Sequence, residues 1–196
     1  MKIKIYAIVV ITILLCLGLG LGTSYARPVK RAVASSGTVD SAKGSFLLGG
    51  TLVMTGGGLK PIEKIKRGDK VLSLNEKTGQ TELKPVTDVV PAEAKADELL
   101  SIQIEGESGT ISVTAQHRFY ARPHDQPNAH PEWTPAKNLK TGDEILTATG
   151  AWSAVQSVNQ HLSGRVVFAL EVEDNDNYFV GPKALLAHAG DDSDKG

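Results

Sequence analysis

Beyond its leader this chain contains no cysteine: the only one, Cys16, sits in the apolar N-terminal run. The body of the protein therefore has no disulfide, no thiolate metal site and no cysteine nucleophile. An exported chain without disulfides must hold its fold by its core alone. Aromatic residues are scarce, at 5% of the sequence, and 20 glycines punctuate it. An excess of charge is missing too. Lys+Arg 21 against Asp+Glu 22 gives a net charge of -1, so the electrostatic footprint of nucleic-acid binding is absent and no nucleic acid is expected as a partner. No long 3.6-residue apolar period follows the leader, which excludes a helical bundle. What is present is a series of short Val-, Ile- and Leu-rich runs between turn signals, and the expected class is all-β. At 196 residues there is room for one domain with a sizeable core, plus appendages.

The appendages come first. Lys2 and Lys4 form a positive n-region, Ala7 to Gly22 is uncharged and mostly apolar, and Ser24-Tyr25-Ala26 offers small residues for a cut after Ala26. Residues 1–26 read as a signal peptide, and the protein is expected to be secreted or exported. A membrane becomes a partner only if that leader is retained as an anchor. Leu15 before Cys16 does not suit lipidation. Residues 27–44 lack periodicity and large apolar side chains and read as a flexible linker or propeptide, with Lys30-Arg31 a solvated pair or, in a eukaryotic secretory route, a dibasic processing site. The acidic end, 190–196, reads as a disordered tail.

Within the body, two segments match at an offset of 74 residues: Pro61 to Leu72 and Pro135 to Leu146. Both run from Pro through an apolar residue four later (Ile65, Leu139) and a Lys to Gly-Asp, then a β-branched residue and Leu. This spells a short turn, a Gly-Asp turn and the start of a strand. Its recurrence implies two related β-subdomains about a pseudo-twofold. Asp69 and Asp143 fall at those turns, and Trp133 and Trp152 are expected to pack the core.

The residues that carry chemistry are few: Ser45, the stretch Thr114-Ala115-Gln116-His117, and His188 near the end. Two hydroxyls and two imidazoles suit chemistry on the chain's own peptide bond, provided the fold brings them together. His124 and His130, six apart in the Pro-rich loop Arg122 to Pro131, are expected to be solvated and not metal ligands. Neither a metal nor a cofactor is expected. His161 has no assignable role, and Asp88 is a weak candidate only.

The ordered blocks Ser45-Phe46 with Thr51-Leu52-Val53, Lys60-Pro61-Ile62 to Gly68-Asp69, Val113 to His117, Trp133 to Asp143, and Leu170 to Val180 resemble a Hint domain. That self-processing module is shared by inteins, Hedgehog C-terminal domains and bacterial polymorphic-toxin pre-toxin modules. The resemblance spans residues 45–189 and implies a pseudo-twofold, horseshoe-like β fold. It also implies that the first residue of the domain, Ser45, is the nucleophile on the Gly44 carbonyl. The scissile bond is then Gly44–Ser45, and Ser45, Thr114, His117 and His188 are the catalytic set. The chain's own N-terminal segment is the substrate, and water or a small nucleophile is the acceptor. His117 would move the proton and Thr114 would polarise the scissile group.

Three departures from the family pattern matter. Serine replaces the usual cysteine at position 45, Asp176 stands where a histidine is common, and His188 is followed by Ala189 instead of asparagine. Without that side-chain amide, asparagine cyclisation has no reactant, and with only seven residues after Ala189 splicing is not expected. Two readings remain: an exported domain that cleaves itself at Gly44–Ser45 by an N-to-O acyl shift, and a catalytically inactive Hint fold serving as a secreted structural or interaction module.

Overall fold

The computed structural model describes residues 44–126 and 129–190. The expected signal peptide, nearly all of the expected linker and residues 191–196 of the tail lie outside the described residues. The first half forms β1 Leu47–Leu48, β2 Leu52–Thr55, β3 Gly58–Pro61, β4 Lys70–Asn75, β5 Gln80–Ala94, β6 Leu99–Ile104 and β7 Thr110–Thr114. The second forms β8 Arg118–Arg122, β9 Glu132–Pro135, β10 Glu144–Leu146, β11 Trp152–Gln160, β12 Arg165–Val172, β13 Asn177–Val180 and β14 Leu185–His188. Single 3₁₀ turns occupy Ile62–Lys64, Ala96–Glu98 and Ala136–Asn138. The fold is all-β, and among the described residues no helix is long and apolar enough to cross a membrane.

The strands follow one hydrogen-bonded path, β10-β11-β6-β7-β1-β12-β5-β4-β2-β13-β14-β8-β9, with β3 attached to β2. Because β10 also pairs with β8, the path closes on itself. Closure leaves few open edges and directs alternate side chains inward to a core of Leu47, Val53, Ile62, Val71, Val113, Phe119, Ile145 and Tyr178. Two-residue β1 is short but central: Leu47 pairs with Val113 on one side and Phe168 on the other. The start of the domain is therefore clamped between β7 and β12. Its end is held likewise, since β14 lies between β13 and β8.

The repeat is reproduced bond by bond. Lys66 N donates to Asp69 Oδ2 at 2.9 Å, and Lys140 N donates to Asp143 Oδ2 at 2.9 Å. Gly68 N reaches Val86 O at 2.8 Å, as Gly142 N reaches Val155 O at 2.8 Å. Ile62 N bonds Thr51 O at 2.8 Å, and Ala136 N bonds His117 O at 2.7 Å. The turn ahead of each also matches, Thr51 N to Leu48 O at 3.1 Å and His117 N to Thr114 O at 3.0 Å. Thr51 is thus the pseudo-symmetric counterpart of His117, and Leu48 that of Thr114. Thr114 and His117 therefore sit on a backbone frame that Leu48 and Thr51 repeat with different side chains.

The two turn glycines offer a measurement. Gly68 and Gly142 adopt φ of +88° and +92°, where an L side chain is strained. A Cβ at Gly68 meets open space, whereas at Gly142 it would lie 2.8 Å from the His124 ring. Gly68→Ala is expected to cost about 1 kcal/mol and Gly142→Ala more, by roughly another 1 kcal/mol of overpacking. Paired urea melts check the order, and equal losses would show that the His124 ring simply swings away.

Candidate active site

The site is assembled by the β7–β8 connection. β7 ends at Thr114, Ala115-Gln116 make the turn, and His117 leads into β8. The His117 N to Thr114 O bond closes that turn, which puts side chains three apart on the same side. Ala115 N is held by Glu98 O at 3.2 Å and Ala115 O by Lys137 N at 3.0 Å. The turn is therefore tied to two 3₁₀ segments and presents a fixed Thr–His pair. Since β7 pairs with β1 and β8 with β14, that turn lies where the first and last strands of the domain meet.

Thr114 is fully buried and engages the two residues that flank Ser45, Gly44 and Phe46. Its N donates to Phe46 O at 3.0 Å, extending the β1–β7 ladder, and its Oγ1 accepts Phe46 N at 3.0 Å. The Thr114 hydroxyl donates to Gly44 O at 2.6 Å, with Phe46 O a distant alternative at 3.4 Å. A relay results: Phe46 N–H to Thr114 Oγ1–H to the Gly44 carbonyl, each bond strengthening the next. It pulls electron density from the Gly44 carbonyl, the one that precedes Ser45 in the chain.

Ser45 Oγ stands 2.8 Å from His117 Nδ1. His117 is fully buried with its edge on Phe119, ring centroids 5.1 Å apart. Burial, then the neighbouring His188, push its pKa down from 6.5 to about 3, against an opposing hydrogen bond from the ring to the Ser45 backbone. The ring is neutral across ordinary pH, and a neutral ring protonated on Nε2 accepts the Ser45 hydroxyl proton at Nδ1. His117 Nε2 has no hydrogen-bond partner among the described residues. A buried orphan of this kind costs about 1–3 kcal/mol, an expense that no packing argument explains.

His188 closes β14 opposite Asn177 and meets Trp133 edge to face at 4.8 Å. It faces His117 electrostatically. Ala189 N donates to Asp176 O at 2.7 Å and Gly190 N to Leu170 O at 2.9 Å, so the backbone after His188 is pinned. Asp176 takes a left-handed φ of 49° to make its bond. The structure thus gathers Gly44, Ser45, Thr114 and His117 in direct contact and sets His188 behind them.

Other residues lie elsewhere. His124 neighbours Asp143 at 3.6 Å, and no group of three His, Cys, Asp or Glu that could hold a metal forms among the described residues. Asp88 is exposed on β5, where its carboxylate accepts the Val89 N–H at 2.8 Å. His161, which the sequence leaves without a role, joins Ser101 at 2.9 Å and Ser112 at 3.3 Å across β6 and β7. Both tryptophans are half-buried: Trp133 packs against the core cluster of Phe179, Ala184 and Leu186 and meets His188, and Trp152 lies beneath the Arg122 guanidinium at 4.4 Å. The functional contact that sequence reasoning missed is Phe46, whose N–H feeds the Thr114 relay. Its position beside Ser45 was the only available signal.

Comparison with known proteins agrees with this geometry. Residues 52–188 match the family described as the pretoxin HINT domain. The solution structure of a bacterial intein-like domain from Clostridium thermocellum is 30% identical, with a TM-score of 0.63, covering 74% of this chain and 98% of that one. A DnaB intein from Synechocystis is similar at 19% identity and TM-score 0.58, covering 74% and 98%. The gp41-1 intein is similar at 24% identity and TM-score 0.54, again covering 74% and 98%. These last two likenesses bear on the fold alone. No curated protein matches the chain significantly.

Proposed function

This chain belongs to the pretoxin Hint domain family, and from that premise we propose that it cleaves its own backbone at Gly44–Ser45 by an N-to-O acyl shift, without splicing. The observation that carries the reading is the pair of bonds about one peptide: Ser45 Oγ to His117 Nδ1 at 2.8 Å and Thr114 Oγ1 to Gly44 O at 2.6 Å. Ser45 Oγ attacks the Gly44 carbonyl carbon while its proton passes to His117 Nδ1. The carbonyl π pair moves onto oxygen, where the Thr114 hydroxyl stabilises it. The Gly44–Ser45 C–N bond then breaks, and its electron pair, on the Ser45 nitrogen, takes the proton back from His117. The product is an ester with a free amine at Ser45. Water attacks that ester, releasing a glycine carboxylate and restoring the Ser45 hydroxyl.

The fold supplies the nucleophile without a binding step, a large part of any such rate. Ala189 has no side-chain amide, so the second cut of a splicing reaction has no nucleophile at that position. We assign the leader to export, so that cleavage acts on an exported chain. Intact-mass analysis with and without hydroxylamine tests the reaction: a chain beginning at Ser45 is expected, its yield raised by the trap. A mass that stays uncut under both conditions would favour the inactive module instead.

Thr114→Val separates the relay from the fold. Valine keeps the β-branched shape but cannot polarise Gly44 O. Ester trapping is expected to slow about 10²- to 10³-fold, the usual effect of losing one oxyanion donor. Stability should fall only by about 1–3 kcal/mol, from the unpartnered Phe46 N–H.

A further inference from the structure

At position 44 it is a neighbouring ring that demands glycine. A Cβ built on Gly44 would lie 2.1 Å from Phe46 Cε2, 2.9 Å from Cδ2 and 3.2 Å from Cζ, where ordinary contact begins near ~3.5 Å. The ring has little room to retreat. Phe46 is buried in a separate apolar cluster with Ala94, Leu99, Val167 and Ala169. Its backbone is pinned on both sides by Thr114, N–H to Oγ1 at 3.0 Å and O from the Thr114 N–H at 3.0 Å.

We propose that the Phe46 ring restricts the acyl residue at position 44 to glycine and so determines the specificity of the cleavage, an inference that rests on Gly44–Ser45 being the scissile bond. Any side chain at 44 is resolved by moving the 44 backbone, because ring and ladder are both held. The atom nearest that movement is the 44 carbonyl, which sits 2.6 Å from Thr114 Oγ1. A shift near 1 Å breaks the relay and misaligns the carbon for Ser45, a displacement that costs about 10²-fold in rate. Phe46 acts here by exclusion, not by touching the reacting atoms. The class of acyl donor is a peptide ending in glycine, and the released segment carries a C-terminal glycine.

The test compares hydroxylamine trapping rates in the parent, Gly44→Ala, and Gly44→Ala with Phe46→Val. Valine removes all three encroaching ring atoms and stays apolar and β-branched. Phe46→Leu, which deletes only the outer ring, replaces it if the valine chain fails to fold by circular dichroism. Gly44→Ala is expected to react about 10²-fold more slowly. The second substitution is expected to recover roughly tenfold or more of that loss. An alanine chain as fast as the parent would overturn the proposal, as would a double variant no faster than Gly44→Ala. A parent that forms no ester at all would sink the autocleavage reading itself, an outcome distinct from either.

Discussion

Ser45→Ala is expected to abolish every hydroxylamine-sensitive product, while Ser45→Cys is expected to react faster than the parent by about tenfold or more, a barrier change of ~1.4 kcal/mol. The alanine chain keeps its fold. Ser45 is half-buried, and its side chain contributes one hydrogen bond, to His117, worth about 1 kcal/mol. The clamp on the scissile segment runs through the Phe46 backbone and Thr114, which the substitution leaves alone. A loss of product in a chain that still melts cooperatively is therefore a loss of the nucleophile. Cysteine differs in the opposite direction. Its thiol ionises far more readily than a hydroxyl, and it attacks without needing full proton removal by His117. The product becomes a thioester, cleaved by added thiol as well as by hydroxylamine. Intact mass after each reagent reads both variants. If Ser45→Cys were no faster, the acyl shift would not limit cleavage, and attack by water on the ester would.

The sequence made the frame legible because the frame is local. Pro61 to Leu72 and Pro135 to Leu146 specify their own turns, so the repeat, the Gly-Asp caps and the β class follow from short patterns. The set Ser45, Thr114, His117 was legible through its motif blocks, since the Thr114-to-His117 turn sets its own geometry. What could not be read depends on distant partners. β5 runs through Pro85 and Pro91, residues that ordinarily demote a strand. It survives because Pro85 lies where β5 passes from β4 to β12. The pairing of Thr51 with His117 across the pseudo-twofold was equally hidden, for the two share no side-chain chemistry. Phe46 takes its place from a bond to Thr114, 68 residues away, and from its ring's closeness to a glycine two positions earlier, neither of which a local pattern shows. His161 found two serines on strands about fifty residues and more away, a partnership no spacing predicts.

Replacing His117 by leucine is expected to slow ester formation about 10²- to 10⁴-fold, the usual contribution of a positioned base, and yet to leave the protein as stable or more so at neutral pH. The second half follows from the orphan. Leucine removes Nε2, which has no partner among the described residues, from a fully buried site beside Phe119, and the Ser45 hydroxyl, half-buried, can turn to water. The sharper sign comes on acidification. In the unfolded chain His117 takes up a proton near its ordinary 6.5, but in the fold only near about 3. Between those values the unfolded state holds the extra proton, so stability falls with falling pH by up to ~1.4 kcal/mol per unit from this one group. His117→Leu lacks that loss. Asp69, held low by its hydrogen bond with Lys60, and Glu82, held low by its bond with Asn175, also favour the fold less in acid, but they are common to both chains and cancel in the difference. Urea unfolding of the two proteins at pH 7, 5 and 4 should therefore diverge steadily, the variant gaining on the parent as pH drops. Parallel curves would mean that His117 is protonated as easily inside the fold as outside. The proposed cleavage gives a reason for keeping a buried imidazole whose Nε2 has no partner among the described residues.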